Sequence, residues 1–170
     1  MSLDNAVRIA AQAHKGTKDK GGQPFIGHPM RVMALLAEMG FAEGVLEAAA
    51  LHDVLEDTPM TAGQLMRDGV EPAVVGLVVL LTRGKGQTYH EYIRDIAQSG
   101  GSAIYIKLAD LRDNMDPARA VSSTPSLMKR YTTAVHVLTN ALREQAGEDD
   151  TYIPRWTKSV GSGAQAQGEV

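Results

Sequence analysis

Ala50-Leu51-His52-Asp53-Val54-Leu55-Glu56-Asp57-Thr58 is the stretch on which the fold turns. It ends a segment, 43–55, that is apolar nearly all round, with Val45, Leu46, Ala48, Ala49, Ala50 and Leu51 close together. Such a segment predicts a central, buried helix. One histidine and three acids then fall at its end. Charged groups in an apolar helix are costly unless they are paired or bound to a metal. On a continuous helix Glu56 stands one turn from His52 and Asp53, and Asp57 one turn from Asp53, so all four line one rim. The alternative is a helix C-terminus with solvated acids and Thr58 as its cap. Acids at that end oppose the helix macrodipole, which makes the alternative unfavourable.

Residues 16–27 (GTKDKGGQPFIG) hold four glycines and a proline among charges and read as a loop. Pro29 fits the first turn of a helix that runs to Met39 and stops at Gly40. Before the loop, Leu3, Ala6, Val7, Ala10, Ala13 and His14 share a face at helical spacing. After the central segment, Thr61 is placed to cap a short helix to about Asp68, and Pro72 to open another to Leu81. Val74–Leu81 is rich enough in valine for a strand, and Ile104, Ile106 and Leu108 alternate. A longer window favours a helix for the second: Ile104, Leu108, Leu111 and Met115 keep helical spacing. A final amphipathic helix is expected over 125–144. His14, His136, Met30, Met33 and Met39 read as core, and His90 as exposed. No internal repeat is present. The expectation is an all-α bundle over 1–146. A partly disordered tail is expected over 147–170, its start anchored by Tyr152, Ile153 and Trp156.

Composition narrows the chemistry. At 170 residues and 44% apolar content the chain has one domain's worth of core and is not a disordered polymer. Aromatics are only 5%, which suits closely packed helices. The absence of cysteine excludes a disulfide scaffold, a thiolate metal site and a cysteine nucleophile. A net charge of −3 argues against a nucleic-acid partner. No apolar run is long enough to span a membrane, and Met1–Asn5 does not read as a signal peptide, so the expected location is the cytoplasm. Any metal must be held by His, Asp and Glu. His28, in Pro24-Phe25-Ile26-Gly27-His28-Pro29, and Asp110, in Ile106-Lys107-Leu108-Ala109-Asp110, extend the His52-Asp53 pair to the series His…His-Asp…Asp. Asn114 follows Asp110 by one turn.

These motifs carry a resemblance. Ala13-His14-x-Gly16, Gly22-Gln23-Pro24-Phe25-Ile26-Gly27-His28-Pro29, Ala50-Leu51-His52-Asp53-x-x-Glu56-Asp57-Thr58 and Lys107-Leu108-Ala109-Asp110-x-x-x-Asn114-Met115 together resemble the HD-domain metal-dependent phosphohydrolases. Within them, the sequence is most similar to the hydrolase domain of RelA/SpoT homologues and the small stand-alone alarmone hydrolases, from about Ala6 to Ala141. The resemblance implies an HD-domain helical bundle. It also implies one divalent metal held by His28, His52, Asp53 and Asp110, with Mn²⁺ usual and Fe²⁺ or Zn²⁺ compatible with nitrogen and carboxylate ligands. Glu56 and Asp57 match the family's acidic pair, which orients the attacking water and manages its proton. Lys20 matches a basic position that contacts the nucleotide, with Lys18 nearby in the same loop. Asn114 matches a position near the substrate's sugar and phosphates. Arg130-Tyr131 resembles a basic-Tyr pair that closes over the nucleotide. Arg83 and Lys85, on the loop Thr82-Arg83-Gly84-Lys85-Gly86, either receive distal phosphates or are simply solvated.

Two positions depart from the pattern. Asp19 stands where the long enzymes carry Arg, and Leu127 stands where an Arg is expected four residues before the tyrosine. A guanidinium stacks on a base and forks to phosphates, and neither replacement does so. The favoured reaction is removal of the 3′-pyrophosphate from guanosine tetra- or pentaphosphate. The departures keep open another nucleotide substrate, such as the 2′-phosphate of NADPH or a nucleoside monophosphate. A non-catalytic nucleotide-sensing module is the reading from another class, and retention of both Glu56 and Asp57 argues against it. The length leaves no expected room for a synthetase domain.

Overall fold

The computed structural model describes residues 2–118, 124–146 and 153–160. They form nine α-helices: α1 (Leu3–Ala13), α2 (Gly27–Glu38), α3 (Glu43–Leu51), α4 (Val54–Asp57), α5 (Ala62–Arg67), α6 (Pro72–Leu81), α7 (Tyr89–Ser99), α8 (Ser102–Asn114) and α9 (Pro125–Ala146). A 3-10 turn, Arg155–Ser159, follows and packs on α9. There is no strand among the described residues, only an isolated bridge between Lys18 and Pro24 in the glycine-rich loop. The architecture is all-α.

The centre is α3. Ala48, Ala49, Ala50 and Leu51 are fully buried, and α1, α2, α6 and α8 pack around them. Three consecutive alanines let these helices approach closely. The valines of α6 do not make a strand. Val74, Val75, Val78 and Leu81 fall on one helical face, against α3 and α8, and Pro72 sits in the first turn. Tertiary fit here outweighs β propensity. Helix α2 ends in a Schellman turn: the Gly40 N–H donates to the Ala37 carbonyl and the Phe41 N–H to that of Leu36, with Gly40 at φ +80°.

Three expectations need correction. The central helix is not continuous over 43–55. The Ala49 carbonyl, which in a continuing helix would accept the Asp53 backbone N–H, accepts the His52 ring N–H at 2.8 Å. The chain turns through His52 and Asp53 and resumes as the single turn α4. Met39 is 44% exposed, because it stands at the C-cap of α2, past the last buried position of that helix, Leu36. His136 is exposed, because the buried stripe of α9 runs through Val135, Leu138, Thr139 and Leu142 and His136 falls off it. His14 is buried as expected and His90 exposed.

Helix α7 has no counterpart in the sequence reading. Its signal was a capping box, in which the Thr88 side chain accepts from the Glu91 N–H and the Glu91 carboxylate accepts from the Thr88 N–H. In the final segment Ile153 is buried and Trp156 packs against the core, with the Arg112 guanidinium 5.9 Å from its ring centroid. Tyr152, and the tail over 147–152 and 161–170, lie outside the described residues.

Candidate metal centre and its cavity

Three helix ends meet at one point. His28 lies in the first turn of α2, His52 and Asp53 in the turn after α3, and Asp110 one turn before the end of α8. The His28 Nε2 is 3.1 Å from Asp110 Oδ1 and 3.5 Å from Asp53 Oδ2. The His52 Nε2 is 3.2 Å from Asp53 Oδ1 and 3.8 Å from Asp110 Oδ1. His28, His52 and Asp53 each offer a ligand atom within 4.8 Å of the others. Asp110 joins them through Oδ1, less symmetrically.

The outer face of each ring fixes which nitrogen points inward. The Nδ1–H of His28 donates to Asp113 Oδ2 at 2.7 Å, and that of His52 donates to the Ala49 carbonyl at 2.8 Å. Both partners only accept, so both Nε2 lone pairs face the carboxylates. The His52 Nε2 is buried and makes no hydrogen bond despite its nearness to Asp53. An orphaned buried nitrogen is costly unless something satisfies it. Two imidazole nitrogens and two carboxylates without thiolate fit a divalent cation of the manganese, iron or zinc kind.

Charge around the centre is arranged by Lys107. Its Nζ lies 2.6 Å from Asp110 Oδ2, leaving Oδ1 for the histidines. Burial pushes the Asp110 carboxyl up, but the Lys107 ammonium outweighs it and holds the group well below the usual carboxylate range. Burial alone would lower the Lys107 pKa, and Asp110 with Tyr92 and Tyr89 raises it well above the usual value. The Asn114 amide also donates to Asp110 Oδ1.

A cavity of about 470 Å³ opens above these residues. His28, Asp53, Asp110, Glu56, Asp57 and Asn114 all line it, while His52 stands behind its wall. Lys18, Lys20, Arg83, Arg130 and Tyr131 line it as well, but Lys85 does not and is exposed. Glu56 Oε2 accepts the Arg83 backbone N–H at 3.1 Å, so this acid tethers the basic loop at the mouth. Asp57 is exposed as a residue. Partial burial of its carboxyl, then the charges of Asp53 and Glu56, push its pKa up to about 6.

The two departures have structural explanations. Asp19 Oδ1 accepts the N–H groups of Gly21 and Gln23, so its carboxylate shapes the loop. Leu127 contributes an apolar patch to the cavity wall.

Four polar lining residues have no role assigned from the sequence: Lys107, Tyr89, Tyr92 and Asp113. The tyrosines ride on α7, which the sequence reading lacked. The Tyr92 hydroxyl donates to the Leu81 carbonyl. The Tyr89 hydroxyl is buried without a partner, and burial pushes its pKa up to about 12. The Arg130 guanidinium stacks over the Tyr89 ring at 4.7 Å. His14 is buried against Phe25 with centroids 4.7 Å apart and neither ring nitrogen hydrogen-bonded. Burial lowers its pKa, with Asp53 opposing.

Comparison with known proteins agrees with this architecture. Residues 6–104 match the model of a family described as an HD domain. The bifunctional (p)ppGpp synthase/hydrolase SpoT of Escherichia coli K12 is 38% identical over 122 residues, covering 66% of this chain. A GTP pyrophosphokinase of Streptomyces coelicolor is 34% identical over 125 residues, covering 69% of this chain. The chain spans only 17% and 15% of the lengths of these two relatives. Among solved structures, a metazoan ortholog of SpoT that hydrolyses ppGpp is similar at a TM-score of 0.70 and 30% identity, over 83% of this chain and 85% of that one. A Listeria monocytogenes EGD-e protein is similar at a TM-score of 0.63 and 26% identity, over 81% of this chain and 90% of that one. With a family match over more than half of its length and the same helical frame in a solved relative, the chain belongs to the HD-domain family.

Proposed function

We propose that this chain is a metal-dependent phosphohydrolase that removes the 3′-pyrophosphate from guanosine tetra- or pentaphosphate in the cytoplasm. The observation that carries the reading is the buried, hydrogen-bond-free Nε2 of His52 facing Asp53 and Asp110 beneath a cavity rimmed by cations. His28, His52, Asp53 and Asp110 would hold one divalent ion, with Mn²⁺ the first choice. Bound there, the ion supplies Lewis acidity for the phosphoryl oxygens and lowers the pKa of a water molecule.

The chain's own groups do the rest. Lys18, Lys20, Arg83 and Arg130 line the cavity and receive the phosphates. Glu56 holds the Arg83 loop at the mouth and adds negative charge beside Asp57. Asp57 lines the cavity beside Glu56 and Asp53, within reach of a water held there. The water oxygen bonds to the phosphorus on the 3′-oxygen, and the bond between that phosphorus and the 3′-oxygen breaks. The carboxylate pair takes the water's proton and returns a proton to the departing 3′-oxygen, which leaves as a hydroxyl. Asn114 and Tyr131, on the cavity wall, orient the sugar and cover the nucleotide.

Asp19 and Leu127 favour a second reading, a different phosphorylated nucleotide, because neither offers a guanidinium to a base or phosphate. The two readings separate in a hydrolysis panel. Guanosine tetraphosphate, NADPH, ATP and several nucleoside monophosphates are each incubated with the protein and Mn²⁺, and products are identified by chromatography. The primary reading predicts GDP and pyrophosphate from guanosine tetraphosphate as the fastest reaction. Faster release of orthophosphate from NADPH or a monophosphate would install the second reading. No turnover on any substrate would leave a nucleotide-binding module.

A further inference from the structure

Helices α2 and α8 face one another with matched pairs at one-turn spacing. His28 and Arg31 stand on α2, and Asp110 and Asp113 on α8. The His28 ring sits between the two carboxylates, with Nε2 3.1 Å from Asp110 and Nδ1 2.7 Å from Asp113. Asp113 is buried, at 5% side-chain exposure. Its two oxygens also receive a fork from Arg31: Nε to Oδ1 at 2.7 Å and Nη2 to Oδ2 at 3.2 Å. Arg31 itself is at the surface, its side chain 44% exposed. A Cβ placed on Gly27 would lie 2.9 Å from Arg31 Nη1, so the guanidinium occupies the space that this glycine leaves empty.

We infer that Asp113, clamped by Arg31 over Gly27, is a positioning residue that holds the His28 ring with Nε2 turned to the metal. The inference rests on the metal-dependent reading above and adds to it a line of control from the surface to a buried ligand. An imidazole on a single χ2 axis can present either nitrogen, or swing away. The acceptor at Nδ1 removes that freedom, and the two-point fork from Arg31 stops the acceptor from moving. Loss of such an outer partner typically weakens metal affinity about 10–100-fold. A lysine at position 31 would supply charge without the fork. A salt bridge with only a structural role would change the melting of the metal-free protein and leave the metal affinity of the folded fraction untouched.

The test is the Mn²⁺ dissociation constant of the full chain by calorimetric titration, with melting of the metal-free protein as the fold control. Asp113→Leu should weaken Mn²⁺ binding by about 10–100-fold. Asp113→Asn, which keeps an acceptor, should fall between the parent and Asp113→Leu. Arg31→Met should weaken binding without touching the buried carboxylate, and Arg31→Lys should be milder than Arg31→Met. Arg31→Met added to Asp113→Leu should do nothing further, because Arg31 acts through Asp113. With diamagnetic Zn²⁺ bound, nitrogen-15 spectra of His28 should show a proton on Nδ1 and metal on Nε2. Parental affinity in Asp113→Leu, or metal on Nδ1 of His28, overturns the inference while leaving the function standing. If Asp113→Leu does not fold, parental affinity in Arg31→Met overturns it instead. A parent protein that binds no divalent ion overturns this inference and the proposed function together.

Discussion

Lys107→Met should destabilise the metal-free protein substantially. The Lys107 ammonium lies 2.6 Å from Asp110 Oδ2, with side-chain exposures of 13% and 5%. Removing one partner of a buried pair costs about 3–5 kcal/mol, because the other charge is left uncompensated. Asp110 would retain the hydrogen bond from the Asn114 amide, which places the cost near the low end, about 3 kcal/mol. Methionine keeps most of the apolar stem, so little packing is lost. For a chain of this size each kcal/mol moves the melting temperature by about 2–4 °C, so the expected drop is about 6–12 °C. The assay is thermal or urea unfolding with excess chelator, so that metal loss cannot contribute. Adding Asp110→Asn to Lys107→Met removes the stranded charge and should recover much of the loss, whereas independent effects would add. A loss under about 1 kcal/mol for Lys107→Met, or a double variant worse than the single one, would refute the claim that this pair organises the site.

Asp57→Asn should alter the pH profile of stability in the chelated protein. The folded pKa near 6 lies above the ordinary 3.8, so the folded state holds the proton more tightly. The parent therefore loses stability as pH rises from about 4 to about 6, and the variant does not. Melting temperatures should coincide at pH 3.5 and favour the variant above pH 6.5; parallel profiles would refute the assignment. Glu56→Gln keeps a carbonyl acceptor for the Arg83 N–H but loses the negative charge. It should lower turnover by about 10²–10⁴ with metal content retained and substrate affinity equal or tighter. Steady-state kinetics with elemental analysis checks this, and turnover at the parent rate would remove Glu56 from the proton path.

What could be read from the sequence follows the range of the interactions involved. Helices announced by local chemistry were legible: Thr61 with its reciprocal Gln64 bond, Pro72 opening α6, Gly40 closing α2. Asp53 and Asp110 stood out because an acid is conspicuous in a greasy segment, and the structure brings them together with His28 and His52. The break after Leu51 was not legible, since it depends on the His52 ring reaching back to the Ala49 carbonyl. Helix α7 escaped although its capping box was visible in Thr88 and Glu91, and with it went Tyr89 and Tyr92 on the cavity wall. Asp113 and Arg31 were hidden for a deeper reason. They stand 82 positions apart, and a solvated loop or helix face explains each of them alone. Asp19 looked like a missing substrate contact until its oxygen was seen to hold the N–H groups of Gly21 and Gln23. For Lys85 the sequence left a phosphate contact and a solvated loop both open, and the side chain is exposed and does not line the cavity.

The central claim is that the four-residue cluster under the cavity carries a divalent ion that the chain uses to cleave a nucleotide pyrophosphate. The most direct measurement is pyrophosphate release from guanosine tetraphosphate by the chelated parent protein and by Asp53→Ala, each titrated with Mn²⁺. Asp53 faces both histidine Nε2 atoms, at 3.2 and 3.5 Å, so its loss opens the cluster. The account predicts that activity in the parent rises with Mn²⁺ to one ion per chain, with GDP and pyrophosphate formed in equal amounts. It predicts that Asp53→Ala neither binds the ion tightly nor releases pyrophosphate. Undiminished release by Asp53→Ala, or release by the parent in excess chelator, would contradict it.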